Sequence, residues 1–227
     1  MKVAVIQTPG SNCDQDALFG LRALGAEVAY VWHTERSLSG FDLVVIPGGF
    51  TYGDYLRGGA IAARSPFVEA VREFADAGGL VIGICNGFQV LTEAGILPGA
   101  LLPNLGRRFL CRLVHIRATN RSSPWTERCE GVLSMPIAHN EGRYVADEET
   151  IQLLEGEGRI AFVYCSCSGE ITDEANPNGS TGNIAGVLNA RGNVLGMMPH
   201  PERALLPTLG STDGRMVFAA VLAAAVG

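Results

Sequence analysis

Lysine is almost missing from this sequence: of 17 basic residues only Lys2 is a lysine, and the other sixteen are arginine. Beyond the second residue there can be no phosphate-loop lysine, no pyridoxal Schiff base and no Ser–Lys dyad. Chemistry that consumes ATP is therefore expected on another chain. Basic residues are outnumbered by 23 acidic ones, for a net charge of -6, and no Lys/Arg run interrupts the chain. That balance argues against nucleic-acid binding. Long apolar runs are missing as well. The longest uncharged stretch, 77–92, is broken by three glycines before Asn86 and by Gly87 and Gln89 after it, whereas a membrane span needs about 20 mainly apolar residues. The chain enters a strand-like run at once, with no basic leader segment, so no signal peptide is expected. Six cysteines at irregular spacing do not make a disulfide framework. Reduced thiols in the cytoplasm are the expected state.

Glycine, by contrast, is abundant at 29 of 227 residues, well above the roughly 7% of average usage, which implies tight turns and close backbone approaches. Short apolar runs at 2–6, 27–32, 43–46 and 80–84 read as strands. They alternate with helical spacing at 14–24, at 60–77 and from Phe88 onward. Strands apolar on both faces between amphipathic helices predict a buried parallel sheet. The expected fold is α/β, doubly wound and flavodoxin-like, with a mostly parallel sheet and ligands outside the carboxyl ends of the strands. After Pro103 the texture becomes β-rich, with strand-like pieces at 111–116, 131–136, 159–164 and 182–198 and a hairpin turn at 189–192. A helix is expected over 213–225. No linker or repeat divides the chain, so residues 1–227 are expected to form one domain.

The segment Gly83-Ile84-Cys85-Asn86-Gly87 has the small-x-nucleophile-x-small form of a nucleophile elbow at a strand-to-helix junction. A cysteine there stands at a helix N-terminus, where the dipole favours thiolate, and the Asn86 N–H points toward any oxyanion formed. The bland alternative is a small buried cysteine in a glycine-rich strand end. Cys13 also follows a strand and precedes a helix, but Gln15 replaces the second glycine, and Ser11, Asn12 and Asp14 read as helix-capping groups.

A thiolate that attacks a carbonyl needs a base and an orienting acid. His200, in Pro199-His-Pro-Glu-Arg203, is biased to extended backbone by Pro201. Residues two apart in extended chain share a side, which brings Glu202 to the imidazole. A surface His beside a surface Glu is the alternative. His33 is expected to face solvent, and His139 to sit in a polar loop lining a cleft or interface. Cys111, His115, Cys165 and Cys167 do not match the usual paired zinc spacing, so no metal is expected. The Pro47-Gly48-Gly49 loop ends a strand on the same sheet edge as Cys85, and its free N–H groups would add a second oxyanion donor.

Together the Pro-Gly-Gly loop, Gly-Ile-Cys-Asn-Gly-Phe-Gln89 and the late His-Pro-Glu resemble the class I, triad-type glutamine amidotransferases, in the family's order and over the whole chain. Gly10-Ser-Asn-Cys-Asp14, the run from Pro47 to Arg57 and Ala138-His-Asn-Glu-Gly-Arg143 are similar to the family's glutaminase subunits of purine biosynthesis. The resemblance implies Cys85 as nucleophile, His200 as base, Glu202 as its orienter, Gly49 and Asn86 as oxyanion donors, and Gly48 and Gln89 as contacts to L-glutamine. It also implies a partner: an ATP-dependent synthetase subunit, with a small accessory subunit, which would use ATP and Mg2+ and convert formylglycinamide ribonucleotide to the amidine. This chain itself would need no cofactor. The loops at 52–55 and 139–143 are expected to feel that partner. Trp125, where phenylalanine is usual, and Asn140, where glycine is common, depart from the family pattern. Rival expectations are a glutaminase serving pyridoxal phosphate, GMP or CTP synthesis, a cysteine peptidase or γ-glutamyl hydrolase, and a flavodoxin-like binding module. An oriented base argues against the last, since a redox sensor needs none.

Overall fold

Backbone runs that are apolar on both sides become the interior of one sheet. The computed structural model describes residues 1–223. Its first half contains β1 (Lys2–Gln7), α1 (Asp14–Ala23), β2 (Glu27–Trp32), β3 (Leu43–Ile46), α2 (Pro66–Asp76), β4 (Leu80–Ile84) and α3 (Asn86–Glu93). All four residues of β3 are buried, as are the four central residues of β1 and the last four of β4. The helical spacing at 60–77 is realised in two pieces, a 3-10 turn at Ala62–Arg64 and then α2. Ser65 between them is extended (φ -73°, ψ 149°), because a residue before proline avoids the helical region and Pro66 is accommodated at the first helical position.

The second half adds β5 (Ala100–Leu102), β6 (Leu110–Ala118), β7 (Leu133–His139), β8 (Arg143–Val145), α4 (Glu148–Gly156), β9 (Ile160–Cys165), β10 (Ile184–Leu188), β11 (Val194–Met197) and α5 (Gly214–Ala223). The predicted terminal helix is α5; its last expected residues, Ala224 and Ala225, lie outside the described residues. Sequence periodicity did not reveal α4. It buries only Leu154, and its start is set instead by Asp147, whose side chain accepts the Thr150 N–H at the N-cap.

Nine strands form one mixed sheet in the order β2-β1-β3-β4-β11-β10-β9-β6-β7, with β5 and β8 paired separately. The pairings from β2 to β11 are parallel and those from β11 to β7 antiparallel. The β-rich second half therefore extends the doubly wound sheet, and β11 joins the two parts. β7 alternates strictly, with Leu133, Met135, Ile137 and His139 inward.

Glycine sets how closely α3 lies on the sheet. A Cβ on Gly87 would collide with the carbonyl oxygen of Ile46, one on Gly83 would lie 2.5 Å from Leu91 Cδ1, and one on Gly196 would run into the Phe88 ring. We expect Gly87→Ala to lower stability by about 1–3 kcal/mol through overpacking, read as a lower denaturant midpoint. Gly106→Ala, where a Cβ meets nothing within 4 Å, is the matched control and leaves the midpoint unchanged.

Candidate active site

The carboxyl edge of the parallel strands gathers the loops after β1, β3, β4 and β11. Cys85 follows β4 directly and stands at the N-cap of α3 with φ 53° and ψ -103°. A non-glycine residue in this region carries about 1–3 kcal/mol of strain, which the surroundings must hold. They do so through the Cys85 N–H, which donates to Met197 O at 2.8 Å. The thiol is buried, 3.7 Å from Ala138 O. Asn86 opens the helix, so its N–H has no intrahelical acceptor.

His200 is tied to β7 through its N–H to Pro136 O (2.9 Å) and is extended (φ -101°, ψ 90°). Beyond it the chain does not stay extended. A single 3-10 turn, Pro201–Arg203, carries Glu202 back to the imidazole, with Nδ1 and Oε1 at 2.5 Å and both side chains 1% exposed. Burial opposes charging the ring. The Glu202 carboxylate, with Cys13 and Cys85 beside it, outweighs burial and holds the His200 pKa well above its ordinary value.

Cys13 is drawn into the same cluster, which its sequence context did not suggest. Its Sγ, a His200 nitrogen and a Glu202 oxygen lie within 4.8 Å of one another. Arg203 donates to Sγ at 3.1 Å and is itself held by Asp16 at 2.9 Å. Cys13 occupies the N-cap position of α1, and no side chain caps that helix. Ser11 instead donates to Thr8 O, and Asn12 accepts from the Cys13 thiol. Gly48 stands against this cluster: a Cβ there would lie 2.8 Å from His200 Cε1 and 3.0 Å from Cys13 Sγ.

In front of Cys85 is a cavity of about 240 Å³ lined by Gly49, Phe50, Asp54, Cys85, Gln89 and residues 138–141. Neither Cys13 nor Gly48 reaches its wall. Gly49 packs so tightly on the first loop that a Cβ would lie 2.7 Å from Gly10 O. Among the described residues its N–H donates to no backbone acceptor. The Gln89 amide is engaged on both sides, accepting from Asn86 Nδ2 at 2.7 Å and donating to Glu141 O at 2.6 Å. A larger groove of about 690 Å³, lined by Pro103, Asn104, Leu105, Arg107, Asn140 and Arg143, adjoins it at Asn140 and holds no nucleophile.

Of three groups in or behind this wall, His139 was expected from sequence to line a cleft or interface and Asp54 to lie in a loop that feels the partner, while Asn104 was not singled out. Asp54 sits at φ 52°, in a loop where Tyr52 and Leu56 are also left-handed. Burial, then the charge of Glu141, pushes its carboxyl pKa up to about 6. His139 is buried at the end of β7 rather than in a loop; its place on the inward face was legible as the fourth member of the Leu-Met-Ile-His alternation. Its Nδ1 lies 3.0 Å from Asn104 Oδ1. The Asn104 amide cannot be turned around, because its Nδ2 faces two carbonyls, Arg108 O and His139 O, while Oδ1 also accepts the Gly142 N–H. His139 therefore carries its proton on Nδ1, and burial, then His200, drops its pKa to about 3. Its buried Nε2 is an acceptor with no partner among the described residues.

The other sequence candidates fall elsewhere. His33 is half-buried and shares a hydrogen bond with Tyr52 Oη at 3.1 Å. Trp125 is wholly inside the core. His115 and Cys165 stand opposite each other across β6 and β9, while Cys111 and Cys167 are exposed.

A buried thiol on an elbow, near an oriented imidazole and on a doubly wound sheet, is an arrangement suited to a cysteine hydrolase. The sequence model of the CobB/CobQ-like glutamine amidotransferase domain matches residues 1–215, and the chain belongs to that family. More particularly, it is 55% identical over 222 residues, 96% of each chain, to the phosphoribosylformylglycinamidine synthase subunit PurQ of Thermus thermophilus. It is 54% identical to the PurQ of Aquifex aeolicus over 98% of this chain and 99% of the relative. The solved PurLQS structure from Thermotoga maritima superimposes with a TM-score of 0.87 at 40% identity, covering 99% of this chain and 98% of that one. A CTPS glutaminase domain from Trypanosoma brucei, 15% identical, shares the fold with a TM-score of 0.59 over 98% and 94% of the two chains.

The tautomer is directly measurable. In a two-dimensional nitrogen-15 spectrum of the imidazole rings, His139 is expected to show a protonated Nδ1 and a bare Nε2, unchanged from pH 5 to pH 8. A His139 that titrates in that range would contradict the Asn104 assignment.

Proposed function

We propose that this chain is the glutaminase subunit of a phosphoribosylformylglycinamidine synthase. It hydrolyses L-glutamine and passes ammonia to a separate synthetase subunit, assembled with a small accessory subunit. That partner would bind ATP and Mg2+ and convert formylglycinamide ribonucleotide to the amidine, in the cytoplasm. The observation that carries this reading is the Cys85 elbow facing the His200–Glu202 pair, in a chain 54–55% identical over nearly its full length to subunits of that name. No helix among the described residues is long and apolar enough to cross a membrane.

In this reading the Cys85 thiolate attacks the side-chain amide carbon of glutamine, and the N–H groups of Asn86 and Gly49 receive the oxyanion. The His200 imidazolium gives its proton to the departing nitrogen, which leaves as ammonia and a thioester remains. Neutral His200 then takes a proton from water, whose oxygen attacks the thioester; glutamate leaves and the proton returns to the Cys85–His200 pair. Glu202 holds the Nδ1–H and stabilises the charged ring. Gly48 leaves room for that ring, and Gln89 braces Asn86 and Glu141 from behind the substrate.

Two outcomes test this. In the assembled complex, Cys85→Ser abolishes synthesis from glutamine and leaves synthesis from high ammonium nearly intact. Cys13→Ser keeps glutamine turnover, because Cys13 does not reach the cavity. Equal loss of both nitrogen sources in an assembled Cys85→Ser complex would sink the division of labour. Second, Glu202→Gln slows glutamine turnover by about 10²–10⁴-fold, the scale seen when a triad carboxylate is neutralised. Full activity in that variant would rule out the proposed pairing.

A further inference from the structure

The carboxylate that orients the base has nothing of its own to orient it. Glu202 Oε1 meets His200 Nδ1, while Glu202 Oε2 is buried and has no hydrogen-bond partner among the described residues. Nor is the turn that carries it self-sufficient. Pro201–Arg203 is a 3-10 turn of three residues, a form whose hydrogen-bond geometry is poor. The placement of the carboxyl group must therefore come from what the turn rests on. It rests on α1. Cys13 at the N-cap, Asp16 in the first turn and Gly20 beyond it are spaced three and four apart, which puts them on one face of the helix. That face meets the chain at 200–205. A Cβ on Gly20 would lie 2.5 Å from Leu205 Cδ1 and 3.3 Å from Glu202 O, so a glycine, unfavourable inside a helix, admits the turn to the helix backbone. Arg203, the residue after Glu202, supplies the polar half of the contact. Its Nε donates to Asp16 Oδ2 at 2.9 Å and its Nη2 to Cys13 Sγ at 3.1 Å, so one guanidinium fork spans the first turn of α1. Burial opposes the charge on Arg203, and Cys13, Asp16 and Glu202 outweigh it and hold its pKa above the ordinary value.

Resting on the glutaminase reading, we propose that Arg203 is a positioning residue for the base: bridged to Asp16 and Cys13, it fixes the 3-10 turn on α1 and so holds the Glu202 carboxylate against His200 Nδ1. Asp16 is its anchor. Arg203 does not line the cavity in front of Cys85, so it acts on the base and not on bound substrate. The Arg203 and Asp16 side chains are 33% and 43% exposed, and an ion pair so exposed adds little to stability. Its effect falls on rate instead, because a misplacement of about 1 Å in a reacting constellation can slow turnover by about 10²-fold.

The experiment measures glutamine hydrolysis in the assembled complex for the unaltered chain, Arg203→Ala, Asp16→Ala and the double variant. Arg203→Ala lowers kcat for L-glutamine by about 10-fold or more with KM changed by less than about 3-fold, the pattern of an interaction that serves the transition state and not substrate binding. Asp16→Ala lowers kcat by about 3-fold or more on its own, yet has almost no further effect in Arg203→Ala, because both residues act through one contact. Synthesis from ammonium by the same preparations is unchanged and reports that folding and assembly are intact. Should Arg203→Ala lose that synthesis as well, Asp16→Ala alone decides: a lowered kcat at unchanged KM supports the proposal and an unchanged kcat overturns it. An Arg203→Ala complex that keeps its kcat, or in which only KM rises, overturns it too. So do losses from Arg203→Ala and Asp16→Ala that multiply in the double variant, since two independent contacts would then be at work. An unaltered complex that makes product from ammonium yet hydrolyses no glutamine overturns the glutaminase reading instead.

Discussion

β4 and β11 lie side by side in parallel register, Gly83 opposite Gly196 and Ile84 opposite Met197, and the Cys85 N–H closes the ladder on Met197 O. One residue beyond β4 is the thiol; three beyond Met197 is the imidazole. The relative placement of Cys85 and His200 is therefore set by the backbone of two buried, paired strands. A slip of one residue would turn every side chain of β11 to the opposite face and carry His200 away. The remaining contacts at the site build on this pairing. Pro136 O fixes the His200 backbone, the 3-10 turn folds Glu202 onto the ring, and Arg203 reaches back to Cys13 and Asp16.

Close approach is what the glycines provide. Gly83, Gly87 and Gly196 let α3 lie directly on β3, β4 and β11, which sets the helix N-terminus beside Cys85. Left-handed backbone at non-glycine residues occurs at Cys85 and in the loop at 52–56, and away from this edge at Arg107 and Asn183. The β9–β10 pairing carries register shifts around Gly186. A rigid scaffold carrying a few strained positions is the arrangement expected where geometry matters more than local stability.

Much of the parallel half could be read from sequence, because strands buried on both faces leave unbroken apolar runs with glycine or polar punctuation at their ends. β3 and β4 fall where those runs fall, and β2 falls on its run too although it is a largely exposed edge strand. The break at Ser65-Pro66 was also written there, but helical spacing on both sides masked it. The order of β6, β7, β9 and β10 was not legible: antiparallel strands reveal which face is inward, not which neighbour they take. At the site, the elbow and His-Pro-Glu are contiguous motifs and stood out. The nearness of Asp54 to Glu141 and the Asn104–His139 contact did not, since each joins residues that only the folded sheet brings together. The place of Cys13 beside His200 was hidden for the same reason. Its neighbours resemble capping residues, and only the fold shows that Arg203 and His200 lie against it.

The sheet's central seam has a consequence for how the protein comes into being. β11, which holds the two halves of the sheet together, follows every other strand among the described residues and so is made after them. Domains emerge from the ribosome N-terminal end first, and pairings between distant segments form late. Until Val194–Met197 arrives, β4 lacks its neighbour and the thiol lacks both its ladder bond and its base. A chain lacking β11 would therefore hold Cys85 without the strand and the imidazole that the proposed hydrolysis uses. On the proposed glutaminase reading, hydrolysis waits for β11 to pair with β4.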